Sequence, residues 1–447
     1  MDNAQSLYDE RLQRYIENLS ALIKSETVSR HGDTDLTKFY AFHSVLRETF
    51  PKIFSVCTVE DFDGSLLLRW PGASSANPVM FMNHFDVVEP TKDWTHAPFA
   101  AEIENGRLYG RGTLDTKGGL WAMLQAADEL VSEGFLPEND IYFESSCTEE
   151  TTWAGARAIS RALLERGIHF SYIIDEGGMI MYEPISGAEG TFAMIGMGER
   201  GCAELLFTAR GTGGHASSPE TDTPLVRLGK FMAEADTTKK FKVCISPVIK
   251  EMFRCLAPSV KGPMRFVYSN PNLFSPVLKA VMPKTSGTAK ALLQTTIAFT
   301  MAEGSEGRGI LPTKASVVGN MRTSHHQGYE ESLAAIKSLA DKYDIEMTIL
   351  DPASDSKLSD YRTPEYKLIC SALKESFPEV KPCPYIMTGA SDAASMSPLT
   401  DNCFRFVPFL IDAGQLESIH GTDENVSVST LVPAVDFYRY LMKGSNS

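Results

Sequence analysis

The chain has no cysteine pair at C-x-x-C spacing, no tract of like charge, no low-complexity segment and no apolar run of membrane-spanning length. Its eight cysteines are scattered, so zinc knuckles and dithiol redox motifs are not expected and the thiols read as free. A spanning helix needs about 20 apolar residues. The longest runs here fall far short, so no membrane partner is expected. Basic residues are in the minority, with 42 Lys and Arg against 57 Asp and Glu and a formal net charge of -15. Binding to phosphate backbones needs a basic footprint, so nucleic acid is not an expected partner either. The first residues, MDNAQSLYDERLQRYIENL, are charged and amphipathic and lack the apolar core of a signal peptide. They point to a cytoplasmic protein.

What is present suits a sizeable folded chain. At 447 residues it exceeds the length at which one core usually stops growing, so two domains are expected. A hydrophobic content of 43% is enough to fill them. The first third alternates strand and helix signals. Pro78 to Phe85 is nearly all apolar, as in a parallel strand buried on both faces. From Gly119 to Glu133 the apolar residues recur at helical spacing, and Gly134 follows as a stop. Asp140 to Ser145, Trp153 to Arg166 and Ser171 to Ile174 read as strand, helix and strand. The fold class is therefore α/β, a mostly parallel sheet covered by helices. The middle reads differently. Ala203 to Ala209, Thr295 to Met301 and Ala315 to Arg322 read as strands, and Pro224 to Ala235 as a helix. Residues 241 to 290 are rich in proline and give no clear elements. The expected organisation is a catalytic domain over 1–198 and 324–447, interrupted by a smaller α+β lid over 199–323.

Residues able to bind metal gather at strand ends. His84 and Asp86 follow the first strand, Glu149 and Glu150 the second, and Asp175 closes the third. Open α/β sheets place ligands outside the carboxyl ends of their strands, so these side chains are expected at one edge. Asp115 lies in a glycine-rich loop before a helix, and His420 in a late loop. Histidine nitrogen and carboxylate oxygen suit zinc, and one carboxylate shared between two ions makes a pair. In H-x-D the acid can orient the histidine. Singly, each signal has an ordinary explanation. A Glu-Glu pair is often a solvated helix start, and an Asp among glycines is often a turn residue or N-cap. Their joint occurrence in this order is what favours a metal site.

Taken together, MNHFDVVEP, GRGTLDTKGG, CTEET, IIDEGG, GGHASSP and IHGTDENV resemble the motif set of metallopeptidase family 20. That family holds aminoacylases, glutamate carboxypeptidases, desuccinylases and dipeptidases, and Asn83 to Gly178 is most similar to its carboxypeptidase S and N-acyl-amino-acid hydrolase branch. The resemblance implies two zinc ions, with cobalt or manganese as alternatives. It implies His84 and Asp175 on the first ion, Asp115 bridging, and Glu150 and His420 on the second. Asp86 would orient His84, and Glu149 would be the general base. Arg322 and Gly389 would hold a substrate carboxylate. His215 in the lid would reach a partner's active site in a homodimer joined through the lids. The substrate would be a small peptide or an N-acyl amino acid.

Two positions depart from the family pattern. Gly309 stands where many members carry an asparagine that contacts substrate, and Thr116 follows Asp115 where a second Asp or a Met is commoner. Thr116 is expected to be a tolerant position. His31, His43, His96, His169, His325 and His326 match no site motif and are expected on the surface or in packing. Three functions compete: a peptidase acting beside a free carboxylate, an N-acyl-amino-acid deacylase with the same chemistry, and a binding protein that kept the fold without catalysis. The third would carry a broken ligand set, whereas here each metal position and the base match.

Overall fold

The computed structural model describes residues 2–352 and 356–444. Its larger body is built on a ten-stranded sheet. The strand order is Thr58–Phe62, Ser65–Trp70, Asn139–Ser145, Ser74–Met82, Tyr172–Asp175, Cys403–Arg405, Thr191–Glu199, Ile180–Tyr182, Leu410–Ile411, with Lys381–Met387 also paired to Thr191–Glu199. The sheet is mixed. Asn139–Ser145, Ser74–Met82, Tyr172–Asp175 and Cys403–Arg405 run parallel through its centre. The hairpin Thr58–Phe62 with Ser65–Trp70 adds antiparallel strands at one edge.

The apolar run from Pro78 is explained by burial on both sides. Val79 and Phe81 face one core, which includes the helices Lys117–Ser132 and Leu431–Gly444. Met80 and Met82 face the other, under the helix Ala154–Glu165. Side chains alternate along a strand, so only a strand covered on both faces needs apolar residues at every position. Helix Lys117–Ser132 enters at a very close approach. A Cβ on Gly119 would lie 2.0 Å from Asn83 Oδ1, and one on Gly118 would lie 2.1 Å from the Thr113 carbonyl oxygen. Glycine alone lets the helix start against the segment that carries Asn83 and His84.

The lid is a four-stranded antiparallel sheet in the order Thr296–Glu303, Lys314–Thr323, Gly201–Arg210, Glu346–Asp351. Helices Pro224–Asp236 and Gly328–Lys342 cover one face, around Phe207, Phe231, Met321 and Ile336. Its boundaries differ from the expected 199–323. The fourth strand comes after the second helix, so the lid runs on to Asp351 and the returning segment of the larger body starts later than 324. In the opposite sense, Pro247–Leu256 packs against Lys381–Met387, and Ile249, Met252 and Phe253 join the larger core. Much of the segment between residues 241 and 290 thus belongs to the larger body. Its prolines 247, 263 and 271 each sit in the first turn of a helix, where a missing N–H costs nothing. Among the described residues no helix is long and apolar enough to cross a membrane.

Candidate metal centre and active site

The loops that follow the parallel strands meet the lid across a cleft of about 730 Å³. Asp115, Glu149, Glu150, Glu176 and His420 line it from the larger body, and Asn320 and Arg322 from the lid. His84 lies just beneath, almost wholly buried. Its Nε2 is 3.0 Å from Asp115 Oδ1, while His420 Nε2 is 3.0 Å from Asp115 Oδ2. One carboxylate therefore offers an oxygen to each of two imidazoles drawn from opposite ends of the chain. Glu150 lies 3.1 Å from the same His420 nitrogen. The Asp115–Thr116 peptide is cis.

Three sets of donor atoms come close enough to share an ion: His84, Asp115 and Glu176; Asp115, Glu150 and His420; and His84, Glu149 and Glu150. The first two share Asp115, as a pair of ions with one bridging carboxylate requires. The electrostatics fit as well. Burial, then repulsion from neighbouring acids, pushes the carboxyls of Glu149, Glu150 and Glu176 above the usual range. Burial opposes a charged His84, but its contacts with Asp115 and Asp86 prevail and hold the ring above the ordinary histidine value. Hydrogen bonds to Asp115 and Glu150 lift His420 to about 10. A cluster that draws protons onto its histidines is short of positive charge, which divalent cations would supply.

Asp175 does not join this cluster. It shares a strand face with Ile173, packs toward Ala393, and its Oδ2 accepts the Ala393 N–H at 2.8 Å. Glu176, one residue on, points the other way and stands among the donors. The sequence assignment to Asp175 is corrected to Glu176. The physical reason is the period of two: in IIDEGG the acid that joins the donor cluster faces opposite to Ile173.

Asp86 is buried behind the site and is fully used. Its Oδ1 accepts the Glu149 N–H and its Oδ2 the Glu150 N–H, both at 3.1 Å, and Ser29 Oγ donates to Oδ2 at 2.6 Å. The Asp86 Oδ1 is 3.4 Å from His84 Nδ1, whose nearer partner is the Asp86 carbonyl oxygen at 2.9 Å. Asp86 thus sets the His84 ring chiefly through its carbonyl oxygen, and the turn carrying both glutamates through its side chain. Trp153 Nε1 donates to Glu149 Oε1 at 3.3 Å.

Glu424 was not singled out in the sequence, yet it fixes the backbone at Asp115. It is fully buried and accepts the N–H groups of Leu114 and Asp115 at 2.8 and 3.1 Å. Arg111 donates to it at 2.6 Å and to the Gly421 carbonyl oxygen at 2.7 Å. This pair ties the Asp115 loop to the His420 loop. His420 itself sits at φ +58°, a left-handed conformation that ordinary residues adopt at a cost of order 1 kcal/mol or more.

Arg322 and Gly389 line the same cleft, with Arg322 Nε donating to Asn320 Oδ1 at 3.0 Å. His215 does not line it. It is exposed on a short lid hairpin, pairs by backbone with Ile310 beside Gly309, and its Nδ1 meets Ser217 Oγ at 2.7 Å. Thr116, expected to be tolerant, is buried, with its hydroxyl donating to Asn83 Oδ1 at 2.9 Å. His31 is exposed, as expected, and lines the cleft.

Comparison with known proteins places the chain in a family. The family described as peptidase family M20/M25/M40 matches residues 80–444. The probable carboxypeptidase S-like 2 of Dictyostelium discoideum is 29% identical over 423 residues, covering 91% of this chain and 80% of that protein. The N-fatty-acyl-amino acid synthase/hydrolase of Homo sapiens is 28% identical over 443 residues, covering 96% and 88%. Among solved structures, the metallo-carboxypeptidase Sso-CP2 from Sulfolobus solfataricus shares the fold with a TM-score of 0.71 at 17% identity, covering 97% of this chain and 99% of that one. The chain belongs to peptidase family M20/M25/M40 and is an enzyme of the metallohydrolase type.

Proposed function

We propose that this enzyme holds two zinc ions and cleaves a peptide or N-acyl amide bond beside a free carboxylate. His84, Asp115 and Glu176 would hold one ion; Asp115, Glu150 and His420 would hold the other. The same donors suit cobalt or manganese. Ions so placed would lower the pKa of a shared water and polarise the scissile carbonyl. The observation that carries this reading is Asp115, with one oxygen toward each histidine.

The chain's own groups do the rest. Glu149 takes a proton from the attacking water and returns it to the leaving amine. Its raised pKa suits a group that must carry that proton between the two steps. Trp153 keeps one of its oxygens in place. The Arg322 guanidinium pairs with the free carboxylate of the substrate, because its planar fork matches two oxygens at once. The Gly389 backbone meets the same end. His215 stabilises the developing oxyanion from a second subunit, in a homodimer joined through the lids.

N-acyl-amino-acid deacylation is the second reading, supported by the similarity to N-fatty-acyl-amino acid synthase/hydrolases. Dipeptides and N-acyl amino acids, each with the carboxylate free or amidated, separate the two when assayed with and without a chelator. The reading expects metal-dependent cleavage of at least one class and loss on amidation. Turnover indifferent to both chelator and amidation contradicts it.

A further inference from the structure

Between Glu251 and Glu303 the chain has no acidic residue, yet it holds Arg254, Lys261, Arg265, Lys279, Lys284 and Lys290. This is the reverse of a chain whose net charge is -15. The structure folds the middle of this segment into two short helices, Pro263–Ser269 and Pro271–Val281, laid against Pro247–Leu256.

The second helix is apolar on two sides. Leu278 is buried and Phe274 packs toward the core. On the outside, Leu273, Pro276, Val277, Ala280 and Val281 recur at helical spacing and are all exposed. Leu273 is 69% exposed and Val277 58%. Phe266 of the first helix, 60% exposed, meets Phe274 edge to face and extends the patch. A helix of a water-soluble body normally turns such a stripe inward, and contiguous exposed apolar surface marks an interaction site.

The cations decide what covers it. Lys261, Lys290 and Arg254 are paired with Glu189, Asp236 and Glu251. Arg265, Lys279 and Lys284 flank the stripe, are exposed, and have no ion-pair partner among the described residues. A second copy docked about a two-fold axis would gather two sets of these three unpaired charges in one interface. An anionic bilayer surface answers both features, since acyl chains take the apolar side chains and headgroups take the cations. We propose that the hairpin spanning residues 263 to 281 docks the enzyme on an anionic lipid surface, without spanning it. The absence of a spanning run in the sequence does not bear on a contact of this kind.

The test uses the full chain and sedimentation with phosphatidylcholine vesicles, with and without phosphatidylserine. The expected result is binding only to the phosphatidylserine vesicles, weakened by added salt. Val277→Asp with Leu273→Asp, and separately Lys279→Glu with Lys284→Glu, should each lower binding by about tenfold or more. All four positions are exposed, so circular dichroism and hydrolysis of a soluble substrate should be unchanged. Failure of the hydrolase reading would therefore be separately visible. No binding to phosphatidylserine vesicles, or binding that both double variants keep, overturns the proposal. So does a doubled solution mass that the Val277→Asp and Leu273→Asp pair abolishes, which would give the face to a second copy.

Discussion

On the wall of the cleft formed by the larger body, His84, Asp86 and Asp115 are buried or nearly so, and each oxygen of the two aspartates already has a partner. On the lid wall, Arg322 and Asn320 are half-buried and hold chiefly one another. The difference teaches how the work is divided. In the proposed function the chemistry would fall to the wall where burial and shared hydrogen bonds fix most of the donors, with His420 the exposed exception. Recognition of the substrate's far end would fall to a separate sheet, where an arginine can adjust to what arrives.

That contrast can be broken most forcefully at Asp115. Asp115→Asn removes the charge between the two histidines and should lower turnover on the order of a thousandfold or more, together with metal content. Glu149→Ala should lower kcat by about 10²–10⁴ while metal content stays near that of the parent. Metal analysis alongside kinetics separates the two, and turnover retained in this variant would remove Glu149 from the proton-transfer role. Asp86→Ala, which touches no substrate, should cost about 10–100-fold in metal affinity or activity by loosening His84 and both glutamates. The smallest effect belongs to the lid. Arg322→Lys should raise KM about tenfold with kcat little changed, since lysine keeps the charge and loses the fork. If Arg322→Lys instead lowered kcat as severely as Glu149→Ala, the division between the two walls would be wrong.

The motifs were legible because they are local: a strand, a turn and a polar residue at a fixed offset. His84, Asp115, Glu150 and His420 could be named before their meeting could be seen. Asp175 and Glu176 show the limit. Both are acids at a strand end, and which one enters the site depends on the face Ile173 takes, a fact of packing that composition does not hold. Glu424 was missed for a related reason. Its partners, the amides of Leu114 and Asp115, are backbone groups and leave no mark in the sequence. The lid's extent was misjudged because strand Glu346–Asp351 joins its sheet across a helix, and pairing over that distance has no local signature. Three central strands, Ser74–Met82, Asn139–Ser145 and Tyr172–Asp175, could be read because burial on both faces selects apolar residues at successive positions, whereas the short Cys403–Arg405 was not read.

The central claim is a pair of divalent ions held across Asp115. Metal analysis of the dialysed protein beside Asp115→Ala and His420→Ala tests it most directly. The account predicts two ions per chain in the parent, loss of both in Asp115→Ala and loss of one in His420→Ala. A parent holding a single ion, or an Asp115→Ala variant that keeps two, would contradict it.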